Sequence, residues 1–143
     1  MNASRIIAEK GGTVFTVSPG DTLVEAARTL TEKKVGAAVV VDGAGAPVGV
    51  FSERDLARVV AESGEAALST SVADVMSKRL FTAEPAASVD ELMSLMTERR
   101  IRHVIIMDGG AMAGVVSIGD VVKRKIAEAE AEAESLKAYI EGA

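Results

Sequence analysis

Apolar positions along this chain follow two alternating patterns, and the whole alternation occurs twice. Leu23, Ala26, Ala27 and Leu30 recur at i, i+3, i+4 and i+7, one face of a helix, and Val89, Leu92, Met93 and Met96 repeat that spacing 66 residues later. Each stripe is followed by a continuous apolar run, at 37–41 and 104–107, of the kind that suits a strand buried on both faces. Asp42-Gly43-Ala44-Gly45 and Asp108-Gly109-Gly110 supply turns. Strands at 48–51 and 113–116 come next, and second helices follow, marked by Leu56, Val59 and Val60 and by Val121, Val122 and Ile126. Each half is predicted to run strand, helix, strand, hairpin, strand, helix, an α/β protein of the α+β type.

The repeat is tight enough to read position by position. Thr16-Val17-Ser18-Pro19 answers Thr82-Ala83-Glu84-Pro85, Val35 answers Ile101 and Asp42 answers Asp108, all at an offset of 66. The offset falls to 65 by Gly49-Val50-Phe51-Ser52-Glu53-Arg54-Asp55 and Gly114-Val115-Val116-Ser117-Ile118-Gly119-Asp120, so one residue is lost at a hairpin tip, where length changes cost little. Thr22 to Glu25 and Ser88 to Glu91 carry the spacing of a capping box, with hydroxyl and carboxylate three residues apart before an apolar helix. A period this long, found before any other feature, predicts two half-domains that bury their apolar faces together.

Composition narrows the class. With 143 residues the chain suits one domain built from two halves, and a half of roughly 60 residues is marginal alone. Aromatic residues make up only 3%, so Val, Ile, Leu, Ala and Met must form the core, and the six methionines are read as core filler. The absence of cysteine excludes disulfides and thiolate chemistry. A net charge of −5 argues against nucleic acid as a partner. No apolar run approaches the ~20 residues of a membrane span, and the polar first ten residues lack a signal-peptide stretch, so a cytoplasmic protein is expected.

The expected organisation is a lead-in at 1–12, repeats at 13–68 and 69–124, and a helical tail at 125–143. Ile126, Ala129, Ala133, Leu136 and Ile140 alternate three and four apart, an a/d pattern over about two heptads. Two alanines in five seam positions make a weak coiled coil, so the tail is expected to dock on its own body or on a partner subunit.

Two groups of residues could carry chemistry. Ser52-x-x-Asp55 and Ser117-x-x-Asp120 fit a capping box, the plain structural reading. They equally suit a nucleotide, because a helix N-terminus offers free N–H groups to phosphate and an adjacent Asp can accept hydrogen bonds from both ribose hydroxyls. Arg99, Arg100, Arg102 and His103 form the densest positive stretch in an acidic protein. The first two are read as cations compensating a helix C-terminus, whereas Arg102 and His103 stand where a strand begins and could meet phosphate. His103 is the sole histidine and has no second metal ligand or triad partner nearby, so no catalytic or metal-binding residue is assigned. The hairpin glycines 43, 45 and 49 do not have dinucleotide-motif spacing and lie between strands.

The twinned G-h-h-S-x-x-D ends, the lead-ins at Pro19 and Pro85, and Arg100-Ile101-Arg102-His103-Val104 together resemble the tandem cystathionine-β-synthase-type (CBS) domain family, whose paired repeats are called Bateman modules. The resemblance covers residues 12–123. It implies two pseudo-symmetric β-α-β-β-α repeats packed through their sheets, with clefts that can hold adenosine-containing ligands, and a homodimer. It makes Asp55 and Asp120 ribose acceptors, brings Ser52 and Ser117 towards ribose or phosphate, and sets Val35 and Ile101 against adenine. Gly36 and Ala37 take the places of Arg102 and His103 and leave room, so the two clefts should be unequal. Ser18 and Glu84, beside the lead-in prolines, complete the candidate set with Arg54 and Gly119, which occupy variable positions. Many members have proline where this chain has Ile105.

The resulting expectation is a regulatory sensor of AMP first, then NAD(H) or ATP, acting on an unknown protein partner and doing no chemistry itself. A ligand-free dimerisation scaffold of the same fold is the alternative. An enzyme would need a nucleophile–base constellation that the chain lacks.

Overall fold

The structure, a computed structural model, describes residues 1–142. The chain runs α1 (Ala3–Lys10), β1 (Thr16–Val17), α2 (Leu23–Lys33), β2 (Ala37–Val41), β3 (Pro47–Ser52), α3 (Glu53–Ser63), a 3₁₀ segment (Gly64–Ser69), α4 (Val72–Val75), β4 (Thr82–Ala83), α5 (Val89–Arg99), β5 (His103–Asp108), β6 (Ala111–Ser117) and α6 (Ile118–Gly142). Two three-stranded sheets form, ordered β1-β2-β3 and β4-β5-β6, each with one parallel and one antiparallel pairing.

Local chemistry explains why the halves match. Thr22 and Ser88 accept the amides of Glu25 and Glu91 at 3.2 and 3.0 Å, the hydroxyl half of the predicted capping boxes. Both helices then end on a left-handed residue, Lys34 at φ 55° and Arg100 at φ 53°. Arg99 sits over the ring of Phe81 and Lys33 over that of Phe15. The strands alternate as a two-faced sheet demands. Ala38, Val40 and Phe51 enter one core, and Val104, Ile106 and Val116 the other. Val39 and Ile105 are buried on the opposite faces. At Ile105, where the family often has proline, the amide donates to Phe81 O at 3.0 Å, and the matching Val39 amide donates to Phe15 O at 3.2 Å.

The compact units cut across the sequence repeats. One unit is Thr13–Leu80; the other joins Met1–Gly12 to the chain from Phe81 onward. Residues 69–80 therefore pack with the first unit, and the lead-in packs with the second. The physical reason is a missing wall in each core. Val72 and Val75 fill it in the first unit, Ala3 and Ile6 in the second. Antiparallel bridges anchor both plugs equivalently, Thr22 with Ser71 and Asn2 with Ser88.

This arrangement also accounts for the glycine that opens each signature. A Cβ on Gly49 would lie 2.6 Å from Met76 Sδ and 2.9 Å from the Ser77 carbonyl oxygen, and one on Gly114 would lie 2.9 Å from Ile7 Cδ1. Both glycines are there to let the plug segment approach.

The tail is not a separate element. α6 runs unbroken from Ile118, at the end of the second repeat, to Gly142. Val121 is its only buried residue, Lys125 reaches Asp90 at 2.8 Å, and residues 126–142 are all exposed. Ile126, Leu136, Tyr139 and Ile140 are 53%, 59%, 77% and 65% exposed.

Candidate functional site

Each half places its Ser-x-x-Asp at the junction of its third strand and second helix, and each forms a reciprocal cap. In the first, the Ser52 amide and hydroxyl donate to Asp55 Oδ2 at 2.9 and 3.0 Å, while the Asp55 amide donates to Ser52 Oγ at 3.3 Å. In the second, the Ser117 amide donates to Asp120 Oδ2 at 2.9 Å and the Asp120 amide to Ser117 Oγ at 3.1 Å. The capping reading is therefore correct for both, and any ligand role must use what capping leaves over.

What it leaves differs between halves. Arg58 Nη1 donates to Asp55 Oδ1 at 3.1 Å, so both oxygens of Asp55 are engaged. Glu53 crowds the same corner: a Cβ on Gly36 would lie 2.9 Å from its Oε1, so the room expected at Gly36 is shared with a carboxylate. Val35 and Gly36 instead border a groove of about 630 Å³ with Glu53, Leu56 and Ala57. In the second half the counterpart of Glu53 is Ile118. There Asp120 Oδ2 takes Lys10 Nζ at 2.7 Å, Lys10 also donates to Val115 O at 3.0 Å, and among the described residues Oδ1 receives no hydrogen bond.

His103 pairs with Ser117 across β5 and β6, on the face that carries Ile105. Arg102 is exposed at the strand's start, and its carbonyl accepts the Ile118 amide at 2.8 Å. Burial lowers the His103 pKa from its ordinary 6.5, Lys10 and Arg102 lower it further, and Asp120 opposes them. For Asp120, burial alone would raise the pKa, but the hydrogen bonds from Lys10 and the Ser117 amide outweigh it and hold the carboxyl below 3.8. Lys10, Arg102, His103 and Asp120 thus form one electrostatic cluster. Elsewhere, Ile101 and Val35 pack largely against their cores. The Ser18 amide donates to Asp21, and Glu84 borders a groove of about 400 Å³ with Ala83, Ala86 and Glu91; neither residue bonds to the Ser-x-x-Asp corners. Arg54 is exposed, and Gly119 has ordinary space beside it.

A family model of the CBS domain matches residues 12–62 and 72–126. The chain belongs to the CBS-domain family. It is 37% identical over 147 residues to a mitochondrial CBS domain-containing protein of Arabidopsis thaliana, covering 97% of this chain and 71% of that protein. A CBS-domain containing protein from Agrobacterium tumefaciens superposes with a TM-score of 0.83 at 42% identity, over 87% of this chain and 92% of the other. A CBS domain protein from Pyrobaculum aerophilum, complexed with AMP, superposes with a TM-score of 0.74 at 28% identity, over 84% and 89%. CBS domain pairs are regulatory modules. Among the described residues no helix is long and apolar enough to cross a membrane, and no acidic, His or Cys group has the makings of a metal site.

Sequence reasoning did not find Lys10 or Arg58, which decide how free each CBS aspartate is. Arg58 was legible, one helical turn from Asp55. Lys10 was harder, since its partner lies 110 residues away. The only cue was the pattern Asn2, Ala3, Ile6, Ile7, which mimics Ser71, Val72, Val75, Met76 at an offset of 69 instead of 66.

The cluster sets an acid dependence of stability. With the folded pKa of His103 below 6.5, the unfolded chain binds the proton first as pH falls. Stability is then full above pH 6.5 and declines below it until the folded pKa is passed. Asp120 contributes stability that is present above pH 3.8 and is lost as pH falls through its lower folded value. Urea midpoints taken from neutral to mildly acid pH should decline, and His103→Gln should flatten that limb while leaving the loss at lower pH in place.

Proposed function

We propose that this CBS pair is a regulatory sensor of an adenosine-containing ligand, AMP first and NAD(H) or ATP next, acting as a homodimer on a protein partner. The observation that carries the reading is the Asp120 carboxylate, whose Oδ2 takes Lys10 while its Oδ1 receives no hydrogen bond among the described residues, with His103 and Arg102 in the same electrostatic cluster. An acceptor beside Lys10, with the Arg102 guanidinium and the neutral imidazole of His103 in the same cluster, suits a molecule that offers a vicinal diol at one end and phosphate at the other. The AMP complex of the Pyrobaculum aerophilum relative supports the ligand class. The second half is the main site. In the first, Arg58 holds Asp55 and Glu53 would repel phosphate.

Regulation would follow from differential affinity: a ligand that prefers one arrangement of the module shifts its population and so the surface a partner reads. Ile101 and Val35 would border adenine with the part of their surface the cores leave open, and Ser117 would approach the ribose.

Calorimetric titration with AMP, ADP, ATP, NADH and S-adenosylmethionine tests this. Saturation of one strong site per chain by AMP is expected, with proton uptake on binding as phosphate draws the His103 pKa back up. A ligand at ~100 times its Kd should raise stability by roughly 2.7 kcal/mol. If none of these nucleotides produced heat or a thermal shift, the ligand-free scaffold would replace the sensor.

A further inference from the structure

From Ile126 to Gly142 every residue of helix α6 is exposed, and its large aliphatic residues Ile126, Leu136 and Ile140 lie on one seam. A helix of about that length is marginal in water without a partner. Ile126, Ala133 and Ile140 take the a positions and Ala129 and Leu136 the d positions. The flanking positions then read Lys123, Glu130, Lys137 at e and Lys125, Glu132, Tyr139 at g.

We propose that this face binds the same face of a second copy of the chain, as a parallel, in-register two-stranded coiled coil. Charge selects both partner and direction. In a parallel pair each g position meets the e position of the partner's next heptad. Glu132 then faces Lys137 of the partner subunit and Lys125 faces Glu130 of the partner subunit, opposite signs in every ionic pair. Lys125 also holds Asp90 and Glu128 in its own chain, so the Glu132–Lys137 pairs carry the larger share. The antiparallel arrangement that uses the whole seam stacks Ile126 on Leu136, and it sets Lys123 against Lys137, Glu130 against Glu130 and Glu132 against Glu132. Three like-charge pairings oppose it. The seam is short, but its helix grows from a segment already fixed by Val121 and the Lys125–Asp90 bridge, so the nucleation cost is already met.

This inference rests on the homodimer proposed above and assigns its surface. The chain has no cysteine, which makes single-thiol variants clean probes. Under mild oxidation of the full-length protein, Ile140→Cys should convert to a species of twice the chain mass, whereas Glu134→Cys on the outer face should not. In the full antiparallel arrangement two residue-140 thiols would stand about 27 Å apart, far beyond disulfide reach. Lys137→Glu should weaken dimerisation by roughly tenfold, and adding Glu132→Lys should restore it. A dimer by sedimentation without the Ile140→Cys bridge overturns the helix assignment while the homodimer stands. A monomer overturns both; a protected residue-140 thiol in it would mean the seam folds onto its own chain, and a freely alkylated one would leave the face to a different protein.

Discussion

Replacing Ile6 by alanine is expected to destabilise the second unit by about 2–5 kcal/mol, the range for truncating a buried aliphatic side chain. Ile6 is 2% exposed and lies among Ala3, Val89, Leu92, Val104 and Val116, so its loss leaves a cavity in the middle of that core. The lead-in cannot move into the gap without breaking its anchors, the Ala3 amide on Ala87 O at 2.8 Å and the Ser4 amide on Pro85 O at 2.9 Å. Denaturant unfolding read by circular dichroism measures the loss. A change below about 0.5 kcal/mol, typical of surface substitutions, would show that residues 1–12 are only a flexible leader. Ser135→Ala, at an exposed tail position outside the seam, is the control for helix content.

The second large effect is on ligand. Asp120→Ala should weaken nucleotide binding by about 1–3 kcal/mol, roughly five- to 150-fold, because the ribose hydroxyls lose their acceptor in a partly buried site. Asp55→Ala should cost far less, since Asp55 already gives both oxygens to its cap and to Arg58. Alanine also removes a reciprocal cap in either half, worth about 0.5–2 kcal/mol of stability. Affinity therefore has to be measured well below the melting temperature of each variant. Equal losses at both aspartates would mean that the two halves bind alike and that the Arg58 and Lys10 contacts rearrange freely.

These predictions draw on different parts of what the sequence made legible. The 66-residue offset located both helical stripes, both buried strands and both hairpins, because burial periodicity is a local property that survives duplication. The Ser-x-x-Asp corners were legible down to their capping bonds for the same reason: donor, acceptor and helix start lie within four residues. The unit boundaries were not. Val72 and Ile6 do the same work in the two cores, yet they sit at an offset of 69, outside the register that defines the repeat. The difference between Asp55 and Asp120 was equally hidden, since it turns on Arg58 in one half and on a lysine from the far end of the chain in the other. The tail's seam was visible as a heptad pattern, but whether its own body covered that seam depended on the direction in which α6 leaves Val121.

The seating of α1 bears on how the polypeptide is made. Residues 3–10 leave the ribosome well before the walls that receive them, which include Val89, Leu92 and Val116. Residues 13–80 can gather their own core contacts before those walls exist, while α1 waits with its apolar side uncovered. Contacts of such long sequence separation slow folding, so α1 is the part of this nascent segment where a chaperone would have most to shield.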